Sequence, residues 1–263
     1  MGECVSSRKE RKQMGSKRYS NKGVNAARQA EARAAAEKNT QNQTMIIFIA
    51  AIALVVLALV LVFVLQDKPA KVDMTAIQAE IDSMKVEDFT ETNRKTEYVK
   101  ITVKDHGDII VRLRRDIAPI TVKNFQKLVS QGFYDNLTFH RIMKGFMIQG
   151  GDPKGDGTGG SGTTIKGEFE KNGVTNELSH ITGVISMARR SMPMDSATSQ
   201  FFICNADASR SLDGSYAAFG YVVAGLDTVM SISDVEVAVN AGGEKSKPVE
   251  PVTIVSVCFV KKN

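Results

Sequence analysis

The 263-residue chain changes its hydrophobic rhythm twice. Residues 45–65 are an unbroken run of 21 apolar side chains, sixteen of them Ile, Leu, Val or Phe. At ~1.5 Å of rise per residue such a helix spans about 31 Å, one bilayer core, with an insertion free energy on the order of −5 kcal/mol. A cleaved signal peptide is the competing reading, but its apolar region is ~7–15 residues behind a short leader, whereas the leader here has 44 residues. The run predicts a single uncleaved transmembrane helix.

Residues 66–96 are charged and short of large apolar side chains, as expected of a stalk or linker. Within them Thr75-x-x-Gln78 resembles a capping box, and Ile77, Ile81 and Met84 recur at helical spacing. From residue 97 the period becomes two. Val99, Ile101 and Val103 alternate with Lys100, Thr102 and Lys104, and the turn at Asp105, His106 and Gly107 returns the chain into 108–114 as a hairpin. Pro119 opens a helical stripe of Val122, Phe125, Leu128 and Val129 that Gly132 closes, and a second helix is expected over 226–235. Short apolar runs at 146–149, 183–188, 200–204, 219–223 and 254–260 complete a mainly-β pattern, pointing to a closed antiparallel barrel or a sandwich.

The net charge of +5 is concentrated at one end. Residues 1–44 hold ten basic and four acidic side chains, residues 45–65 none, and residues 66–263 are close to neutral. A nucleic-acid-binding domain is therefore poorly supported. The bias instead orients the helix, leaving residues 1–44 as a cytoplasmic basic tail and placing residues 66–263 outside the cell membrane. The tail either touches anionic lipid weakly or is simply solvated. Met1-Gly2-Glu3-Cys4-Val5-Ser6 matches a myristoylation pattern, from which a chain that already spans the membrane gains little. Cys204 and Cys258 lie in strand-like runs and read as two buried thiols or one disulfide.

Nucleophilic chemistry is not signalled. His106 is expected to decorate a turn and His180 to face solvent from a loop, and neither these nor His140 sits in a GxSxG-like context. No acidic pair stands out for glycoside hydrolysis, and no CxxC or metal-ligand spacing is present. The glycine-rich stretch 150–162 lacks the Lys-Ser/Thr ending of a phosphate-binding loop and no helical pattern follows it, so it reads as a long loop needing positive φ at several positions.

The informative stretch runs Phe139-His140-Arg141, then Gly145-Phe146-Met147-Ile148-Gln149-Gly150-Gly151-Asp152, with Ser199-Gln200-Phe201-Phe202-Ile203 and Leu212-Asp213-Gly214 further on. In order and spacing these linked runs resemble the signature of the cyclophilins, the peptidyl-prolyl cis-trans isomerases, over about residues 97–260. The resemblance implies a closed eight-stranded antiparallel barrel capped by two helices, here as an isomerase domain over 97–263 of a membrane-anchored, bacterial-type form. It implies that Arg141 is the catalytic arginine, grouped with Phe146, Gln149 and Phe202. Met147, Ala188, Gln200, Leu212 and Tyr216 match substrate-binding positions, and His140 matches a structural one. Ser211 stands where the family often has Trp, which puts tight cyclosporin binding in doubt, and Tyr216 stands where many members have a histidine.

These residue types suit the reaction. Rotation about an X-Pro bond passes through a twisted amide with a barrier of about 18–20 kcal/mol. No bond breaks, so no nucleophile, metal or cofactor is required; the need is a site that fits the twisted state best. A fixed guanidinium can meet the prolyl nitrogen's regained lone pair while an apolar slot holds the ring. The expected partners are proline-containing polypeptides, folding outside the cytoplasm near a tethered, monomeric enzyme. A second reading keeps the same barrel as a non-catalytic proline-peptide-binding chaperone or assembly module. A third, a carbohydrate hydrolase, requires an acidic pair in the groove.

Overall fold

The computed structural model describes residues 72–263 and, before them, residues 28, 30, 31, 33, 38–40, 43 and 45–57. The chain divides into two compact units, Met1–Pro69 and Ala70–Asn263. In the first, a helix over Lys38–Leu57 is long and apolar enough, by length and composition, to cross a membrane, and its large apolar side chains are exposed. The rest of the expected basic tail with its lipidation pattern, the end of the apolar run (58–65) and the start of the expected stalk (66–71) lie outside the described residues.

The second unit is built on eleven strands: β1 (Phe89–Glu91), β2 (Tyr98–Val103), β3 (Gly107–Leu113), β4 (Arg141–Met143), β5 (Met147–Gly150), β6 (Val184–Met187), β7 (Phe201–Cys204), β8 (Ala217–Ala224), β9 (Val237–Val239), β10 (Lys245–Pro248) and β11 (Ile254–Lys262). Alternation drives the first hairpin. Val99, Ile101 and Val103 of β2 face the core while Lys100 and Thr102 stay half-buried, and Tyr98 pairs with Arg112 through to Val103 with Gly107.

Nine strands join in the order β1-β11-β2-β3-β8-β6-β7-β5-β4, and β9 pairs with β10 as a separate ribbon. The expectation of a closed eight-stranded barrel is corrected here. β1 and β4 are the two edges of the ladder and do not pair with each other. Instead the backbone leading into β4 meets the backbone leading into β11, through a bridge between Thr138 and Thr253 with Phe139 N donating to Val252 O at 2.9 Å.

Four helices accompany the sheet among the described residues: α1 (Met74–Ser83), where the sequence shows helical spacing, and the single turn α3 (Ser209–Leu212) join the two expected, α2 (Pro119–Ser130) and α4 (Leu226–Ser233). The stripe expected on α2 is buried, Phe125 meeting Tyr134, Phe201 and Phe219 at ring-centroid distances of 5.0–5.7 Å. Its first turn lacks a local side-chain cap. The buried Glu168 carboxylate replaces one, accepting from Ile120 N (3.0 Å), Thr121 N (2.8 Å) and Thr121 Oγ1 (2.7 Å).

Residues 74–91, within the stretch expected as a stalk, are docked on the sheet. Asp73, not Thr75, caps α1, accepting from Thr75 N and Ala76 N. Ile77 is buried with Tyr98, Ile110 and Tyr221, while Glu80 accepts from Arg112 Nη1 at 2.8 Å and from Tyr221 OH at 2.6 Å. β1 then pairs with β11, Phe89 opposite Lys262. Cys204 and Cys258 are both free thiols, the first buried and the second half-buried.

Candidate active site

Strand register assembles the site from residues far apart in sequence. Arg141 on β4 lies opposite Gln149 on β5, Gln149 opposite Phe202 on β7, and Phe202 opposite Ser186 on β6. Directly opposed residues of antiparallel strands share a face, so these four side chains form one row. Met147, two residues before Gln149, therefore shares its face, and Phe146 comes from the β4–β5 turn.

A cleft of about 210 Å³ opens on this face, lined by Arg141, Phe146, Met147, Gln149, Ala188, Arg189, Phe202, Leu212 and Tyr216. Drug-sized ligands occupy roughly 300–1,000 Å³, so this is a space for one small ring. Eight of the nine residues expected from the sequence line it. The ninth, Gln200, lines an adjoining cavity of about 690 Å³ together with Gln149, Ala188, Lys154 and the 157–162 loop. Gln149 Nε2 donates to Gln200 Oε1 at 2.9 Å, and Gln200 Nε2 donates to the carbonyls of Gly157 (3.0 Å) and Gly159 (2.8 Å). The glycine-rich loop is thereby tied to the site. Gly151, at φ +81 and with Ser199 O crowding any Cβ, permits its tight exit from β5.

All five N–H donors of Arg141 find acceptors. Nε and Nη2 donate to Glu244 Oε2 (2.6 Å) and Oε1 (2.7 Å), Nη2 also to Met143 Sδ (3.0 Å), and Nη1 to Gln149 Oε1 (3.2 Å) and, weakly, to Met147 Sδ (3.7 Å). The hydrogen bonds from Arg141 hold the Glu244 carboxyl down at about 2. Glu244 sits in the β9–β10 turn, 103 residues away in sequence, and sequence reasoning missed it. The one available signal was a single acid in the otherwise uncharged turn at 240–244.

Phe202 forms the floor, with Tyr216 edge-on at 5.8 Å and the His180 ring stacked at 6.0 Å. His180 is corrected from the expected solvent-facing loop residue: it is 1% exposed. Its Nδ1 is 2.7 Å from Asp213 Oδ1 and its Nε2 is 2.9 Å from Ser186 Oγ. A carboxylate only accepts, so Nδ1 donates and Nε2 accepts the serine proton. Burial lowers the His180 pKa. Arg189, also unanticipated, lies between the Phe169 and Tyr216 rings at 4.8 Å from each, with Nε donating to Ser215 O at 2.8 Å. Cys204 is pushed up to about 12 by burial, which leaves no thiolate at neutral pH.

Comparison with known proteins assigns the family. Residues 98–258 match the family model described as cyclophilin type peptidyl-prolyl cis-trans isomerase/CLD. The chain belongs to the cyclophilin-type peptidyl-prolyl cis-trans isomerases. Among curated relatives, peptidyl-prolyl cis-trans isomerase B of Bacillus subtilis is 44% identical over 135 residues, covering 51% of this chain and 90% of that one. A peptidyl-prolyl cis-trans isomerase of Acinetobacter baylyi is 41% identical over 160 residues, covering 57% and 79%. A cyclophilin type peptidyl-prolyl cis-trans isomerase of Cryptosporidium parvum, crystallised in the presence of the dipeptide Ala-Pro, superposes with a TM-score of 0.55 at 31% identity, covering 62% of this chain and 98% of that one.

The cyclophilin-type segment thus begins at β2, so α1 and β1 lie outside it. Within it, Ser211 turns inward to its own helix, Oγ donating to Ala208 O at 3.0 Å, and leaves the rim at Leu212 and Tyr216 open.

Proposed function

We propose that this peptidyl-prolyl cis-trans isomerase seats a prolyl ring on Phe202, Met147 and Leu212 and stabilises the half-rotated X-Pro amide with Arg141. The observation that carries this reading is a guanidinium at the wall of a ring-sized cleft whose apolar seats are Phe146, Met147, Phe202 and Leu212. Of its five donors, Nη1 has the weakest acceptors, a thioether sulfur and a long amide contact. A substrate displaces these most readily. Phe146 and Tyr216 wall the ring. Gln149 and Gln200 hold the chain before the proline. The Ala188 N–H is committed to Gln200 O at 2.9 Å, so its carbonyl is the group that pairs with an extended peptide.

The test is a proline-peptide isomerisation assay on the full chain in detergent. Arg141→Ala is expected to lower kcat/KM by about 10- to 100-fold, the worth of one charged hydrogen bond, with proline-peptide binding retained. No turnover in the wild type favours the non-catalytic binding module. Full turnover in Arg141→Ala removes the arginine from the mechanism.

The same reading places the enzyme on the outer face of a bacterial-type cell membrane as a monomer, acting on exported proline-containing chains. Support comes from the 21-residue apolar run and from the basic excess of residues 1–44, which also offers weak contact with anionic lipid. The folded domain then starts near residue 72 rather than 97, because α1 and β1 pack on the sheet. Digestion of the domain by protease added to intact cells is the expected result. Protection until lysis reverses the orientation.

A further inference from the structure

We propose that Glu244 is a positioning residue of the isomerase site, which fixes the Arg141 guanidinium from the side away from the proline cleft so that Nη1 faces the substrate. This rests on the reading of Arg141 given above.

Three observations converge. First, the contact is a fork. Both carboxylate oxygens of Glu244 engage one edge of the guanidinium, Nε at 2.6 Å and Nη2 at 2.7 Å, a geometry that sets the plane as well as the position of the group. Second, the choice of edge is informative. The cleft residues Gln149 and Met147 take Nη1, whereas Glu244 takes the opposite edge and does not line the cleft. The charge that orients the arginine therefore leaves the reactive edge uncovered.

Third, the turn that carries Glu244 is built to hold it still. Asn240 Oδ1 accepts from Gly242 N (2.9 Å) and Glu244 N (3.0 Å), while Asn240 N donates to Glu244 O at 2.8 Å. Asn240 Nδ2 reaches the fully buried Ser246 at 3.1 Å, and Gly243 supplies φ +83 at the bend. The Glu244 backbone is thus pinned at both its N–H and its carbonyl. Both side chains of the pair are about one-third exposed, at 30% and 34%. Solvent screening limits what a pair this exposed adds to stability. Orientation is what this one supplies, and a misplacement near 1 Å at a reacting group costs about 100-fold in rate.

The experiment uses the full chain in detergent with a chromogenic prolyl peptide, comparing wild type, Glu244→Asp, Glu244→Gln, Glu244→Ala, Arg141→Ala and the Arg141→Ala/Glu244→Ala double variant. Glu244→Gln keeps the shape but turns a donor toward the guanidinium, so a folding failure specific to alanine does not decide the outcome. The expected result is a fall in kcat of about 10- to 100-fold for Glu244→Gln and Glu244→Ala with KM nearly unchanged, a smaller loss for Glu244→Asp, and no further loss when Glu244→Ala is added to Arg141→Ala. In parallel, the Arg141 Nε–H proton resonance is expected to be slow-exchanging in the wild type and exchange-broadened in Glu244→Gln. Wild-type kcat in the glutamine and alanine variants, with Arg141→Ala impaired, overturns the positioning role and leaves the proposed function standing. An additional loss in the double variant overturns it too, by showing that Glu244 acts outside Arg141. Undiminished turnover in Arg141→Ala sinks the catalytic reading itself.

Discussion

Two clusters of similar composition flank Phe202, and they do opposite things. Arg141, Glu244 and Gln149 on one side, and His180, Asp213 and Ser186 on the other, each combine a base, an acid and a neutral polar group. The first cluster is partly open to solvent, and its base keeps its charge at any working pH. In the second, His180 and Ser186 are buried while the Asp213 carboxylate stands 41% exposed at the edge, and burial drives the imidazole toward its neutral form. Ser, His and Asp in hydrogen-bonded series are the parts of a hydrolase triad. Here Ser186 is fully buried in the middle of the sheet, and the imidazole ring is stacked against Phe202. Chemistry follows from exposure and from the capacity to stay charged, not from the residue list. One cluster presents a cation to the cleft; the other holds up its floor.

The sharpest way to break this contrast is to delete each base. His180→Ala opens a cavity under Phe202 and leaves Ser186 Oγ without its acceptor, an expected loss of about 3 kcal/mol measured by urea unfolding. Arg141→Ala, by comparison, is expected to move folding stability by no more than about 1 kcal/mol while lowering kcat/KM by about 10- to 100-fold. A large stability loss in Arg141→Ala would make both clusters structural. A smaller effect belongs to the acid of the His180 cluster. Asp213 accepts from Ser179 Oγ (2.6 Å), His180 N (2.8 Å) and His180 Nδ1 (2.7 Å), and Asp213→Asn sets an amide donor among these donors. The expected cost is about 1–2 kcal/mol in the same urea experiment, with the pH dependence of unfolding altered as well.

What was readable in the sequence divides along the same line. Local period gave the β2–β3 hairpin and the α2 stripe, because those signals lie within a few residues of each other. The linked motifs brought Arg141, Gln149, Phe202 and their neighbours together, since family spacing encodes a strand register that no single run reveals. Partners at long range stayed hidden. Asp213 lies 33 residues beyond His180, Glu244 lies 103 beyond Arg141, and the α2 cap at Glu168 lies 47 beyond Thr121. The α1–β1 segment looked like a stalk because its docking rests on scattered apolar side chains, Ile77 buried with Met74, Met84, Val86 and Phe89 half-buried beside it, and on a carboxylate, Glu80, that meets Arg112 and Tyr221 only in the fold. The closed barrel failed on a similar point. The segments leading into β4 and β11 meet through irregular backbone at Thr138 and Thr253, which carries no strand period to read.

The mildest prediction uses protons instead of mutations. For His180 the folded-state pKa is lowered from 6.5 by burial, against the opposing effect of Asp213, so the unfolded chain binds the proton more readily than the folded one. Its contribution to stability is complete above about pH 6.5 and is lost as the pH falls below that through the folded value. His140, lowered chiefly by burial as well, adds to the same acid limb. The Glu244 carboxyl runs on a different scale: it is depressed from 4.5 to about 2, so the fork on Arg141 holds above 4.5 and gives way only as the pH approaches 2. Between roughly pH 7.5 and 5.5, resistance to urea is therefore expected to decline while kcat per folded molecule stays flat. His180→Gln should flatten part of the stability slope and leave the portion due to His140. A kcat that falls in step with stability over that interval would mean that the two clusters titrate as one unit, and that the division between a charged tool and a neutral support does not hold.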